Sequence, residues 1–489
     1  MDKLTIRSLA NDIRNGSNDA LSKLAELVEN GNPDAMNELG KLYMENQFLE
    51  DNHFDNALGW YELAANNGST EAMNILGVMH FKAAEYQTAC QWFELAIKEN
   101  NDPGALTNLG KMYSEGLGVE QNHNKAISLY REAAEAGENE AMFCLGECYY
   151  HGLGVIADNG KEIEWFTKAA EANNVEAFFR LGKLYNRGWG VEKNKAKAME
   201  WYRKVIEYYE TSAKSGDIYA INQIAEVYCK HLKEYDTAVT WYTEAAKLGN
   251  DKTATYKIAE IYDEKIGDIE SAIEWYEKAA DLGNGDAAFR LSQLYSDMDE
   301  DDDEIVWLEK SYQLGRIDAL YFLGYLYKDR QAFDNAKECF LKLTEFEDSE
   351  FEDSEVEGIL GLGLVCEELG DYNEARKFYE QLVESGNPEG MLAIGEMYEN
   401  GKGVKLDIDQ AARWYQQAYE AGDYSAHYKM KTLMIIDIIT KSAGILQTDI
   451  YKQFPSNEKD DIMNILKSLD KATRIIRVKS GVTYKLFVK

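Results

Sequence analysis

Residues 141–170 run AMFCLGECYYHGLGVIADNGKEIEWFTKAA, and they carry three signals in order. Ala141, Leu145 and Tyr149 stand at i, i+4 and i+8, a spacing that lines one face of a helix. Gly152-Leu153-Gly154-Val155 then breaks that helix, its glycines suited to positive φ in a tight loop. Trp165-Phe166 and Ala169-Ala170 follow one turn apart, bulky residues and then small ones on a second helix.

The same signals recur along the chain. Aromatic or bulky pairs fall at Trp60-Tyr61, Trp92-Phe93, Leu129-Tyr130, Trp165-Phe166, Trp201-Tyr202, Trp241-Tyr242, Trp275-Tyr276, Trp307-Leu308, Cys339-Phe340, Phe378-Tyr379 and Trp414-Tyr415. The ten intervals between these eleven pairs span 354 residues and average 35.4 each, the length of a helix–turn–helix repeat. The opening Ala-x-x-x-Leu-Gly-x-x-Tyr returns at Ala35/Leu39/Gly40/Tyr43, Ala105/Leu109/Gly110/Tyr113 and Ala177/Leu181/Gly182/Tyr185. A glycine inside a helix costs about 1 kcal/mol against alanine, so its recurrence at one register predicts a crossing too close for a Cβ. The expected occupant of that notch is a neighbouring unit's tryptophan. Between units, Gly31-Asn32-Pro33, Asn101-Asp102-Pro103 and Gly386-Asn387-Pro388 combine a chain-stopping residue, an Asx cap and proline at the first helical position.

Gly-x-Gly-Val occurs in four units, at Gly116/Gly118/Val119, Gly152/Gly154/Val155, Gly188/Gly190/Val191 and Gly401/Gly403/Val404. Followed by Ala, Trp-Tyr and Ala-Ala-x-x-Gly, it makes units three to five and eleven resemble Sel-one-like repeats, a branch of the tetratricopeptide family. The resemblance spans roughly residues 19–425 and implies an adaptor or scaffold that binds a protein or peptide on an extended concave surface. Units holding Glu234–Ala238 and Gly267–Ala272 lack the insertion and look like ordinary tetratricopeptide repeats. Unit ten departs furthest, with Gly358 and Cys366 at the opening Ala and Tyr positions, and it follows a duplicated acidic stretch, Glu345–Ser354, where a bend or mobile loop is expected. Which side chains line the groove is unknown from sequence, because core and groove tyrosines share one helical spacing.

The net charge of −35 is unevenly spread. Residues 429–489 hold 12 Lys+Arg against 6 Asp+Glu, leaving 40 against 81 for residues 1–428, so the tail carries +6 and the rest −41. So acidic an array repels nucleic acid and membranes. The start Met1–Arg7 has no apolar leader, no stretch approaches a membrane span, and the six cysteines are scattered over core-like positions. A cytoplasmic protein with reduced thiols is expected.

After Gly422 the register breaks. Met430–Ile439 reads as an apolar helix, Gln447–Gln453 as a second, and Ser456 caps a third that carries Ile462, Ile465, Leu466 and Leu469. Arg474–Lys479, a Ser480-Gly481 turn and Val482–Val488 then form a hairpin. With the Ser442–Leu446 turn, this order resembles a winged helix. Arg474, Arg477, Lys479 and Lys485 suit a basic wing for nucleic acid or a protein partner, but the third helix opens on Asn457-Glu458-Lys459-Asp460-Asp461, whose carboxylates would face phosphates.

Catalytic and metal constellations are weak. Cys144, Cys148 and His151 share a face without a fourth ligand, and Asp297-x-Asp299-x-Asp301 has Asp302 where a calcium loop needs glycine. No histidine stands beside a nucleophile motif, and the glycine loops lack the Lys-Ser/Thr of a phosphate loop.

The expectation is therefore an all-α, α/α superhelical solenoid of about eleven helix pairs with a small α+β winged-helix-like end: capping helices over 1–30, repeats over 31–425 and the terminal domain over 426–489. It is read as non-catalytic, with no cofactor, metal, membrane or small-molecule substrate. The terminal domain would supply a second contact or assembly point. The alternative is a regulator whose repeats sense a partner while the terminal domain, and it alone, binds DNA.

Overall fold

The computed structural model describes residues 3–45, 53–346, 354–455, 458–472, 474–480 and 483–488. They form two compact units, Met1–Gly249 and Asn250–Lys489. Most of the duplicated acidic stretch (347–353), the Ser456 cap and the Gly481 turn lie outside the described residues. The first unit opens with helices Lys3–Arg14 and Asn18–Glu29, and both units continue as helix pairs, here named A and B within each repeat. The expected caps are in place. Asn32 and Asp102 accept from Ala35 N and Ala105 N at 2.9 Å, Asn387 accepts from Glu389 N at 2.8 Å, and Pro33, Pro103 and Pro388 open their helices. Each such cap contributes about 1 kcal/mol.

Eight of the eleven pairs close through the predicted glycine notch, while units six to eight carry Ala225, Ala259 and Ser292 there, and the occupant of the notch differs from the expectation. A β-carbon built on Gly40, Gly110, Gly182 or Gly395 would stand 2.8, 2.6, 2.5 or 2.6 Å from Tyr61, Tyr130, Tyr202 or Tyr415, and one on Gly77 or Gly146 2.3 or 2.5 Å from Phe93 or Phe166. The ring that enters is thus the residue after the tryptophan, and it belongs to the B helix of the same unit, not to a neighbour. Helical direction explains it: adjacent residues point about 100° apart, so only one of the pair faces the A helix. Tyr61, Phe93, Phe166, Tyr202, Tyr276 and Tyr415 are buried, whereas Trp60, Trp92, Trp165, Trp201, Trp275 and Trp414 are half-buried. Burying such a ring gains roughly 1.5–3 kcal/mol, more than the helical glycine costs.

In the Gly-x-Gly-Val loops the two glycines have separate duties. Gly116, Gly152, Gly188 and Gly401 end their A helices at φ of 69–79°. Gly118, Gly154, Gly190 and Gly403 also have positive φ, and they rest on Tyr86, His123, Asn159 and Tyr372, each the first residue of the preceding unit's B helix. A side chain there would strike that helix start. Units six and seven instead finish their A helices in wider π-helical turns, Val227–Leu232 and Ile261–Ile266, closed by Lys233 and Gly267 at φ 59° and 80°.

Past the last pair, helix Tyr424–Lys441 serves two cores. Ala426 and Leu433 pack with Tyr415, while Ile435 and Ile439 pack with Ile450, Ile462, Ile465, Leu466, Leu469, Ile475 and Leu486. Helices Gln447–Tyr451 and Lys459–Lys471 and strands β1 (Ile445–Leu446), β2 (Ile475–Ser480) and β3 (Thr483–Val488) complete the segment, in the sheet order β1-β3-β2. The short β1 comes from the stretch expected as a turn. Lys431, 5% exposed, bridges the long helix to the third through Glu458 at 3.1 Å and Asp461 at 3.3 Å.

Candidate protein-interaction groove

The A helices present one recurring face. Counting from the small residue that opens each unit, positions two and six later lie one helical turn apart, and where they are aromatic they pack beside the B helix's ring, as Phe143 does with Phe166, Tyr256 with Tyr276 and Tyr325 with Phe340 at 5.3, 5.5 and 5.3 Å between ring centres. In Met1–Gly249 these positions read Asn37/Lys41, Asn74/Val78, Thr107/Lys111, Phe143/Glu147, Phe179/Lys183 and Asn222/Glu226, a largely polar series. Polar groups here meet from one A helix to the next: Lys41 donates to Glu71 at 2.7 Å, Asn108 to Asn74 at 2.9 Å, Lys111 to Glu140 at 2.7 Å and Arg180 to Glu147 at 2.6 Å. Burial alone would raise the Glu71 carboxyl, but hydrogen bonds from Lys3 and Lys41 outweigh it and hold it at about 2.

In Asn250–Lys489 the same positions turn aromatic and aliphatic: Tyr256/Glu260, Phe289/Gln293, Tyr321/Tyr325, Leu360/Leu364 and Leu392/Glu396. The last three pairs, on helices Ala319–Asp329, Ser354–Glu368 and Pro388–Asn400, line a groove of about 570 Å3 that ends at Asp423 and Ser425 beside the next helix. Its floor is Leu360, Leu364, Leu392 and Ala393, Tyr321 and Tyr325 form one wall with rings 4.8 Å apart, and Glu357, Glu389, Glu396 and Asp423 edge it. Partial burial and then the negative field of Glu357 and Glu389 push the Tyr321 hydroxyl up, and the same carboxylates act on Tyr325.

Unit ten's departures from the pattern let the groove form. Gly358 and Gly361 bring helix Ser354–Glu368 against the previous B helix: a Cβ on Gly358 would meet the Phe340 carbonyl oxygen at 2.6 Å, and one on Gly361 the Phe340 ring at 2.3 Å. Sequence reasoning found neither the groove nor its residues. The usable signal was the register itself, since units nine and ten are the first in which positions two and six are both aromatic or aliphatic.

The basic residues of the tail are not gathered at this groove. Arg474 is exposed and its Nη1 lies 3.7 Å from Glu399 Oε1, on the A helix of unit eleven. Lys485 is exposed on β3, paired in register with Val478. The side chains of Arg477 and Lys479 lie outside the described residues; their backbones pair with Leu486 and Tyr484. Asp460 and Asp461 occupy the first turn of the third helix.

Burial pushes the Cys144 and Cys148 thiols up to about 12 and about 11, away from the thiolate a metal needs. No cluster of metal-ligating side chains occurs among the described residues, and no described helix is long and apolar enough to cross a membrane.

The Sel1 repeat family matches residues 33–69, 70–101, 103–138, 139–174, 175–205, 231–250, 255–284 and 388–423, together more than half of the chain. The tetratricopeptide repeat family matches 317–349 and 356–385, which hold Tyr321, Tyr325, Glu357, Leu360 and Leu364 of the groove. Of the two units expected to look like ordinary tetratricopeptide repeats, unit seven falls largely within the Sel1 match 255–284 and unit six is matched over 231–250, which holds its B helix; their π-helical turns stand where the glycine loop would be. Among curated relatives, DAP3-binding cell death enhancer 1 of Rattus norvegicus is 34% identical over 95 residues, 19% of this chain and 18% of that protein. Chitin synthase regulator SKT5 of Saccharomyces cerevisiae is 25% identical over 115 residues, 24% of this chain and 15% of that protein. The matches therefore span less than a fifth of those relatives. Among solved structures, a protective antigen of uropathogenic Escherichia coli with an SLR fold is 26% identical and aligns over 94% of this chain and 99% of its own, with a TM-score of 0.40. A Sel1 repeat protein from Oxalobacter formigenes is 31% identical over 48% of this chain and 98% of its own, with a TM-score of 0.36. With eight matched repeats covering most of its helix pairs, the chain belongs to the Sel1 repeat family.

Proposed function

We propose that this protein is a non-catalytic adaptor or scaffold that binds a protein or peptide partner on the A-helix face of residues 319–425. The observation that carries this reading is the groove at Tyr321, Leu360, Leu364 and Leu392, where half-buried side chains that line an open surface are apolar and aromatic. Such residues outside a core favour a partner that removes them from water, at roughly 25 cal/mol per Å2. Residues 426–489 serve, in this reading, as a winged-helix-like module giving a second contact or assembly point. The shared helix Tyr424–Lys441, the contact of Arg474 with Glu399 and the acidic start of the third helix favour a docked protein-binding role over duplex recognition.

The test is quantitative affinity capture from cells that express the protein, comparing the natural chain with Leu364→Arg and with a chain lacking residues 429–489. Loss of partners in the first, and loss of a different subset in the second, is the expected result. An unchanged partner set in both would overturn the proposal. Duplex DNA at low salt is expected to bind no more than tenfold above background, and strong binding lost on replacing Arg474, Arg477 and Lys479 would reverse the assignment of the tail.

A further inference from the structure

We infer that the groove selects a peptide segment bearing lysine or arginine next to an apolar side chain, an inference that rests on the adaptor reading of the same site. Three observations carry it. The floor of Leu360, Leu364, Leu392 and Ala393 offers an apolar seat with no polar side chain of its own, which favours an aliphatic or aromatic anchor. The rim carries Glu357, Glu389, Glu396 and Asp423 and no lysine or arginine among its lining residues. The tyrosine wall offers ring faces, whose negative quadrupole attracts a cation.

The chain already shows the pattern in its own side chains. Lys429, from the helix that follows the groove, is bound to Glu396 and lies 5.9 Å from the Tyr415 ring centre. Lys328 stands 5.5 Å from the centre of Tyr325, and its ammonium pairs with Asp329 at 3.1 Å. Lys429 thus neutralises Glu396, and Asp423 spends one oxygen capping its helix through Ser425 N at 2.7 Å. Glu389 has no ion-pair partner among the described residues, and Glu357 faces the same tyrosines. The field at the tyrosines is negative, and it adds to burial in raising the Tyr321 and Tyr325 hydroxyls. An acidic segment would meet like charge on the rim, and a purely basic one would leave the aliphatic floor unused.

The experiment is selection of a random dodecapeptide phage library on the immobilised full-length chain, retaining clones that bind it and fail on Leu364→Arg. These groove-dependent clones are expected to be enriched at least twofold in Lys or Arg within two positions of Leu, Ile, Met, Phe or Trp. As synthetic fluorescent peptides they should bind Glu357→Gln/Glu389→Gln at least tenfold more weakly by anisotropy, with the loss shrinking in high salt. The Gln pair keeps shape and helix, and circular dichroism verifies both variants' folds. Groove-dependent clones with neutral or acidic composition, or affinities unmoved by the Gln pair, would overturn the charge preference while leaving the adaptor reading standing. Absence of any groove-dependent clone would overturn both. Clones matching the basic residues 474–489 of this chain would support the charge preference and identify a second copy as the occupant.

Discussion

Phe340 lies between two glycines of successive A helices: β-carbons built on Gly324 and Gly361 would stand 2.6 and 2.3 Å from its ring. Most units close one notch on one ring; here a single fully buried ring closes two and draws helix Ser354–Glu368 inward. Gly361→Ala adds a methylene where none fits, a cost of about 1–3 kcal/mol that exceeds the roughly 1 kcal/mol of helix propensity it gains. It should lower the thermal midpoint of Asn250–Lys489, and Phe340→Leu should recover part of the loss. Gly59, exposed on helix His53–Asn66 with open space around it, is the opposite case. Gly59→Ala should stabilise by about 0.5–1 kcal/mol, read from the midpoint of the same melt.

Glu71 makes the first unit sensitive to acid. Its carboxyl is held at about 2, below the usual carboxylate range, so its contribution is complete above the unfolded value near 4.3 and is lost as pH falls toward 2. Glu71→Gln should therefore lower the melting midpoint at pH 7, and the gap to the natural chain should close as pH falls from about 5 to 2.

Lys431 predicts an asymmetry between the partners of one ion pair. Removing both carboxylates, Glu458→Gln with Asp461→Asn, strands an ammonium that is 5% exposed and should cost up to about 3 kcal/mol, at the low end because Asp461 is largely solvent-exposed. Lys431→Met replaces the ammonium with an apolar side chain of similar volume and should be near neutral. Hydrogen exchange in helix Lys459–Lys471 measures both.

The repeat was legible because eight of the eleven units state their core twice, as a glycine at one register and a ring one helix later. Gly182 and Tyr202 could be paired on paper, yet Trp201 is the larger residue and drew the assignment; helical direction, not size, decides which of two neighbours enters a notch. Ile445 and Leu446 were unreadable as a strand, since two residues carry no periodicity and their pairing with Lys485 and Leu486 depends on a distant hairpin. The groove residues stayed hidden for a different reason. Tyr325 and Leu364 have the apolar character of core residues, and Tyr325 in fact serves both core and groove, its ring 5.3 Å from that of Phe340 while it lines the groove.

The central claim is that partners dock on the A-helix face of units nine to eleven, and site-specific photo-crosslinking in expressing cells tests it most directly. A benzophenone side chain at Tyr321 or Leu364 should form covalent partner adducts, and one at Glu338 or Glu380, exposed on the B helices of units nine and ten, should not. Adducts confined to Glu338 and Glu380, with none at Tyr321 and Leu364, would contradict the account.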